Sequence, residues 1–141
     1  MITAYFDGGA RSNPGPAGYG VYIVDDAGTV IAELSGSLGI ATNNVAEYNG
    51  LLAALQWAID NNTAAITVKG DSLLIIEQMR GNYKSRTKGL RPMHMKARLL
   101  AMQIGNRQVR TRATRAEQRS GSPVERWHGR QHIAFSVTLR P

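Results

Sequence analysis

The chain contains no cysteine. That excludes a disulfide scaffold and any zinc site built on thiolates. No apolar run approaches the roughly 20 residues that a membrane-spanning helix needs. The first residues also lack the apolar stretch of a secretory signal. The expectation is a cytoplasmic protein with no membrane partner. Acidic residues are scarce in one part of the chain only. After Lys84 there are Glu117 and Glu125 against thirteen lysines and arginines, and no aspartate follows Asp71. Residues 1–84 reverse the ratio, with eight acidic residues against four basic ones, Arg11, Lys69, Arg80 and Lys84. The net charge of +7 points to a polyanionic partner, most simply a nucleic acid. A length of 141 residues with 43% hydrophobic and 19% charged residues suits one domain with one core.

Residue periodicity organises the first hundred positions. Ile2, Ala4 and Phe6 alternate with Thr3, Tyr5 and Asp7, which reads as a strand. Glycines and Asn13-Pro14-Gly15 then mark a reversal. A second strand is expected at Tyr19–Val24. The turn Asp25-Asp26-Ala27-Gly28 and a third strand at Thr29–Ser35 follow. Thr42-Asn43-Asn44 signals a helix start, and Tyr48, Leu51, Leu52, Leu55 and Ile59 recur at helical spacing, so a helix is expected from about Asn44 to Asp60. Ala65–Gly70 reads as a fourth strand, Asp71-Ser72 as a cap on a helix through Met79, and Pro92–Ile104 as a third helix. After Gly105 neither period holds, and only Ile133–Leu139 looks strand-like. Hairpin-linked strands followed by a strand–helix crossover imply a mixed sheet with packed helices.

Three carboxylates stand out. Asp7 is expected to end the first strand and Asp71 the fourth. A right-handed crossover makes those strands parallel neighbours, with their C-terminal ends side by side. Glu47 is expected in the first turn of the intervening helix. Such a cluster repels itself unless a cation neutralises it, and hard divalent ions want oxygen ligands. Two such ions, about 4 Å apart, serve a phosphodiester displacement. Each residue also has a plainer role: Asp71 as a helix cap, Glu47 as a complement to the helix dipole, and Asp7-Gly8-Gly9 as a turn. Asp25, Asp26, Glu33, Asp60 and Glu77 read as surface charges. His94, His128 and His132 form no ligand-like group.

The runs Y-F-D-G-G-A-R-S-N-P-G-P-A-G-Y-G, A-T-N-N-V-A-E-Y-N-G-L-L-A-A-L and V-K-G-D-S-L-L-I-I-E-Q-M-R-G resemble type 1 ribonuclease H, compact prokaryotic branch, over residues 1–104. The resemblance implies an RNase H-like α/β fold with a five-stranded mixed sheet and flanking helices. It implies endonucleolytic cleavage of the RNA strand of RNA–DNA hybrids, leaving 5′-phosphate and 3′-hydroxyl ends. Magnesium is the implied cofactor, with manganese as its substitute. By motif position Asp7 would bridge two metals, and Glu47 and Asp71 would complete the one on the leaving-group side. Gly8, Asn13, Thr42, Asn43, Asn44 and Ser72 match substrate-contacting positions. The 2′-hydroxyl distinguishes RNA from DNA, and amide side chains can both donate to it and accept from it. Asn13 would otherwise be a turn residue, and Thr42 and Asn43 capping residues. Tyr83, Lys84, Arg86 and Lys88, in a short basic loop, would reach the DNA strand by stacking and charge, or else form a solvated loop. No protein partner is implied, and a monomer is expected.

The family continues with a strand and then H-V-P-R-E-x-N-x-x-A-D-x-L-x-N-x-A, whose aspartate is the fourth carboxylate. Residues 105–141 lack it. Back-translated with GC-rich codons and read one base out of register, Thr111–Arg115 can give H-V-P-R-E. In the same register Glu117–Glu125 can give N-S-A-A-D-R-L-S-N, and the aspartate would then span the codons of Gly121 and Ser122. The expectation is a one-base shift near Ile104–Arg107. That would leave residues 105–141 as an aberrant basic segment and the fold's last strand and closing helix unaccounted for. Without the fourth carboxylate, cleavage is expected to be weak or absent. The alternatives are a non-catalytic nucleic-acid binder that uses a diverged basic tail, and a resolvase- or integrase-like nuclease. The N-P-G and T-N-N signatures argue against the last of these.

Overall fold

The computed structural model describes residues 1–84, 89–104, 109–116 and 132–138. Three antiparallel strands open the chain, β1 (Ile2–Ala10), β2 (Gly15–Val24) and β3 (Val30–Ala41). Helix α1 (Asn43–Asp60), strand β4 (Ala65–Gly70), helix α2 (Leu73–Met79) and helix α3 (Arg91–Ile104) follow. Two further strands, β5 (Val109–Ala116) and β6 (His132–Thr138), complete the described elements. The sheet runs β3-β2-β1-β4-β6-β5. β1 and β4 are parallel, as the crossover through α1 requires, whereas β6 runs antiparallel to β4.

The sheet has six strands where five were expected. The addition is β5, at the edge and paired only with β6. An edge strand can be ordered by a single ladder of backbone bonds, so it needs no alternating apolar face to announce it. β6 matches the expected strand at Ile133–Leu139 to within one residue at each end.

One face of the sheet carries the core. Ala4 and Phe6 of β1, Val21 and Ile23 of β2, Ile66 and Val68 of β4, and Phe135 and Val137 of β6 are all buried there. Against them pack Tyr48, Leu51 and Leu55 of α1, Ile75 and Ile76 of α2, and Ala97 and Ala101 of α3. Leu51 and Leu55 are fully buried, so truncating either to alanine would cost about 2–5 kcal/mol. Phe135 is also fully buried, so the core closes on a residue from beyond position 104.

Helix boundaries follow local capping. Thr42 has extended backbone, and its Oγ1 accepts from Val45 N at 3.2 Å, which starts α1. Ser72 does the same for α2, accepting from Ile75 N at 3.3 Å.

Candidate active site

β1 and β4 pair from Ile2 opposite Ile66 to Tyr5 opposite Lys69. Asp7 and Asp71 each lie two residues beyond that last pair, so the two carboxylates leave the parallel ladder at the same level. Asp7 does not end its strand as expected. β1 continues to Ala10 because β2 goes on pairing with it, Asp7 opposite Gly20 and Ala10 opposite Ala17. Only the partnership with β4 stops before Asp7. Its Oδ1 accepts from Gly8 N at 2.9 Å. Asp71 directly follows β4, and the capping hydroxyl at the start of α2 belongs to Ser72 rather than to Asp71.

Glu47 reaches this edge from α1. The helix begins at Asn43, one residue earlier than expected, so Glu47 is its fifth residue, and no acidic residue lies in the first turn. Dipole complementation therefore does not account for it, because that effect fades beyond the first turn. Contact at Gly8 brings it close: a Cβ at Gly8 would stand 2.3 Å from Ala46 C and 2.5 Å from Glu47 N. Only a glycine lets the α1 backbone lie against β1 beside Asp7. Glu47 Oε2 is buried.

The donor set is three carboxylates with no thiolate or imidazole, which suits a hard divalent cation such as magnesium or manganese. Among the described residues, no three acidic, histidine or cysteine side chains stand close enough to hold one ion as placed. The backbone thus brings the three carriers to one edge without drawing their side chains into a closed cluster.

An open groove of about 540 Å³ runs from Asp7 across the sheet, lined by Gly8, Gly9, Gly18, Tyr19, Gly20 and Gly36. So many glycines leave a shallow surface that a polymer backbone can approach closely. At the far end of β1, Asn43 Oδ1 accepts from Ala10 N at 2.7 Å, and Asn13 Oδ1 accepts from Asn43 N at 3.0 Å. Both amides are oriented by these bonds, since a backbone N–H can only meet the oxygen. The Nδ2 of each is therefore turned elsewhere. Asn13 and Asn43 thus tie the turn after β1 to the start of α1, and Thr42 caps that helix. Asn44 is the second residue of α1 and half-buried.

Tyr83 and Lys84 are exposed beyond α2, Tyr83 with 45% of its surface accessible. Arg86 and Lys88 lie outside the described residues. Glu77, expected on the surface, is mostly buried at 13% side-chain exposure and ion-paired with Arg80. Hydrogen bonding from Asn82, then from Arg80, lowers its carboxyl below the usual range. The Arg80 guanidinium also donates to Ala134 O at 2.6 Å and so ties α2 to β6. Asp25 serves its turn, accepting from Ala27 N at 3.0 Å and Thr29 N at 2.9 Å. Tyr48, expected in the apolar stripe of α1, and His94, expected in no ligand-like group, meet Gln78 in a buried polar cluster. The available signal was a histidine at a position of α3 that packs inward.

Known proteins share the sequence and fold of this chain. A family model described as Reverse transcriptase-like matches residues 5–114. The chain is similar to the Bifunctional protein Rv2228c of Mycobacterium tuberculosis, 46% identical over 99 residues, covering 70% of this chain and 27% of that protein. It is similar to the Ribonuclease HI of Halobacterium salinarum, 42% identical over 99 residues, covering 70% of this chain and 50% of that one. The chain thus spans half or less of the length of these relatives. Among solved structures, the N-terminal RNase H domain of the M. tuberculosis protein superposes with a TM-score of 0.70 at 42% identity, covering 73% of this chain and 79% of that one. LC11-RNase H1 in complex with RNA/DNA hybrid gives a TM-score of 0.68 at 40% identity, covering 72% and 77%.

Proposed function

Because the chain belongs to the Reverse transcriptase-like family and has an RNase H-like fold, we propose that it is an endonuclease for the RNA strand of RNA–DNA hybrids. The observation that carries this reading is the common level of Asp7 and Asp71 beyond the Tyr5–Lys69 pair, with Glu47 delivered beside them across Gly8. Asp7, Glu47 and Asp71 would hold magnesium or manganese. When bound, such a cation supplies the positive charge that a phosphodiester displacement needs.

The chain's own residues then divide the remaining work. The glycine-lined groove admits the hybrid close to Asp7. Asn13, Thr42, Asn43 and Asn44 lie at one end of α1, where the outward amide donors of Asn13 and Asn43 suit 2′-hydroxyl and phosphate oxygens. Gly8 and Ser72 present backbone next to the carboxylates. Tyr83 and Lys84, with Arg86 and Lys88, contact the DNA strand by stacking and charge.

No aspartate follows Asp71, so the fourth carboxylate of the family pattern is missing. We infer that cleavage is weak or absent in this form, and that residues 105–141 are a basic segment produced by a one-base shift. The thirteen basic residues after Lys84 favour a second reading, a nucleic-acid-binding protein that does not cleave. Among the described residues no helix is long and apolar enough to cross a membrane. A cytoplasmic monomer is the simplest setting for either reading.

A labelled RNA–DNA hybrid incubated with magnesium or manganese separates the readings, with duplex and branched DNA as controls. Slow, metal-dependent cleavage of the hybrid alone, abolished by Asp7→Asn, supports the nuclease. Salt-sensitive binding without cleavage, lost on deleting residues 105–141, supports the binder. Brisk cleavage would show that the fourth carboxylate is dispensable. The nucleotide sequence across codons 100–125 tests the frame: the shift is rejected if no single-base change restores the family motif.

A further inference from the structure

The nuclease reading leaves one buried polar constellation unused, at the junction of the three helices. Tyr48, the residue after Glu47, is fully buried, and its hydroxyl donates to Gln78 Oε1. Gln78 is 2% exposed and lies near the end of α2, the helix that begins two residues after Asp71. The backbone oxygen of Gln78 stands 3.0 Å from His94 Nε2 on α3. A carbonyl can only accept, so Nε2 is the donor in that bond. The rings of Tyr48 and His94 are 6.5 Å apart and tilted by 40°. One residue of α2 is thus gripped by α1 through its side chain and by α3 through its backbone.

The need for such a grip follows from the size of α2. Seven residues make two turns, too few for a helix to hold its own geometry. The apolar contacts of Ile75, Ile76 and Met79 attach it to the core, but burial is non-directional and leaves rotation and sliding open. Hydrogen bonds are directional, and burying their members unmatched is costly. Bonds to two other helices therefore select one orientation of α2. Asp71 sits at the start of that helix, and Glu47 sits one residue before the tyrosine that grips it.

We propose that the Tyr48–Gln78–His94 chain of hydrogen bonds is a positioning device that sets α2 against α1 and so sets Asp71 relative to Glu47 for cation binding. The inference rests on the reading that Asp7, Glu47 and Asp71 hold a divalent cation. Tyr48, Gln78 and His94 touch neither cation nor substrate, and they act through the two carboxylates.

Manganese binding to the full chain tests this, measured by titration calorimetry on the wild type, Tyr48→Phe, Gln78→Leu, the double variant and Asp7→Asn, with thermal unfolding of each. Tyr48→Phe removes one hydroxyl and no volume. The Mn²⁺ dissociation constant is expected to rise by about two- to tenfold, the range that loss of one buried hydrogen bond supplies. The double variant should lose no more than the worse single, because both cut the same link. A lowered unfolding temperature with unchanged Mn²⁺ affinity would overturn the inference and leave a merely structural network. A wild type that binds Mn²⁺ no better than Asp7→Asn would instead overturn the cation reading, and this inference with it. If Tyr48→Phe does not fold, His94→Gln and His94→Leu repeat the comparison from α3. The amide donor should keep the affinity and the leucine should lower it, and equal affinities would again overturn the proposal.

Discussion

The ring of Phe6 occupies the space that a side chain at Gly70 would need. A Cβ on Gly70 would lie 2.5 Å from both Cε1 and Cζ of that ring. Phe6 precedes Asp7 and Gly70 precedes Asp71, so this contact fixes the two strands one residue before each carboxylate. Phe6 is 2% exposed and packed into the main core, and it has little room to withdraw.

Gly70→Ala should therefore act as an overpacking substitution. We expect a loss of about 1–3 kcal/mol in unfolding free energy. Chemical denaturation would show it as a lowered midpoint with an unchanged slope. An unchanged midpoint would mean that the Phe6 ring moves aside freely.

Gly8→Ala meets backbone rather than a ring, since its Cβ would fall 2.3 Å from Ala46 C. The helix must shift as a body, because Ala46 and Glu47 cannot move separately. We expect a destabilisation of about 1–3 kcal/mol or more. Glu47 should be displaced as well, and hybrid cleavage or Mn²⁺ binding should fall further than for Gly70→Ala. Equal losses in the two variants would count against delivery of Glu47 through this contact.

Asn43→Ala removes the acceptor for Ala10 N, at 2.7 Å, and leaves in place the bond from Asn43 N to Asn13 Oδ1. A stability loss of about 1–3 kcal/mol is expected. Thr42→Ala, which removes only the α1 cap, should cost about 1 kcal/mol. If the amides also meet the substrate, Asn43→Ala should weaken hybrid binding more than duplex DNA binding, and Thr42→Ala should weaken it less. A gel-shift series with both duplexes measures this.

Burial lowers the His94 imidazole below its ordinary value of 6.5, against a smaller opposing effect of its bond to Gln78, and Arg98 adds to the lowering. The unfolded chain thus takes up a proton more readily than the folded one. The stabilisation from neutral His94 is complete above about pH 6.5 and is lost as pH falls below it. Unfolding free energy should decline from pH 7 to pH 5, and His94→Gln should flatten that decline. A wild-type curve that is flat over this range would rule the effect out.

The order of strands and helices was legible up to position 104 because each is written in a local signal, although β2 begins at Gly15 rather than Tyr19 and β3 runs on to Ala41 rather than Ser35. Alternation marks β1, Thr42 and Ser72 mark helix starts, and Asp7 and Asp71 lie beside strands of clear pattern. Glu47 was placed in the first turn because the expected helix start at Asn44 was one residue late. β5 was not legible, because its partner β6 follows 16 residues after Ala116 and its position at the edge asks nothing of its side chains.

The amino-acid order by itself determined the strand–crossover–strand path, and therefore that Asp7 and Asp71 come to one edge of a sheet. A right-handed crossover leaves few other outcomes. Only the tertiary structure decided how close the third carrier comes, since that depends on α1 backbone meeting Gly8. It also decided that Gln78 is held by Tyr48 and His94, residues 30 and 16 positions away. Long-range contacts of this kind follow from the packing of whole helices. No local period encodes them, so they appear only once the core is closed.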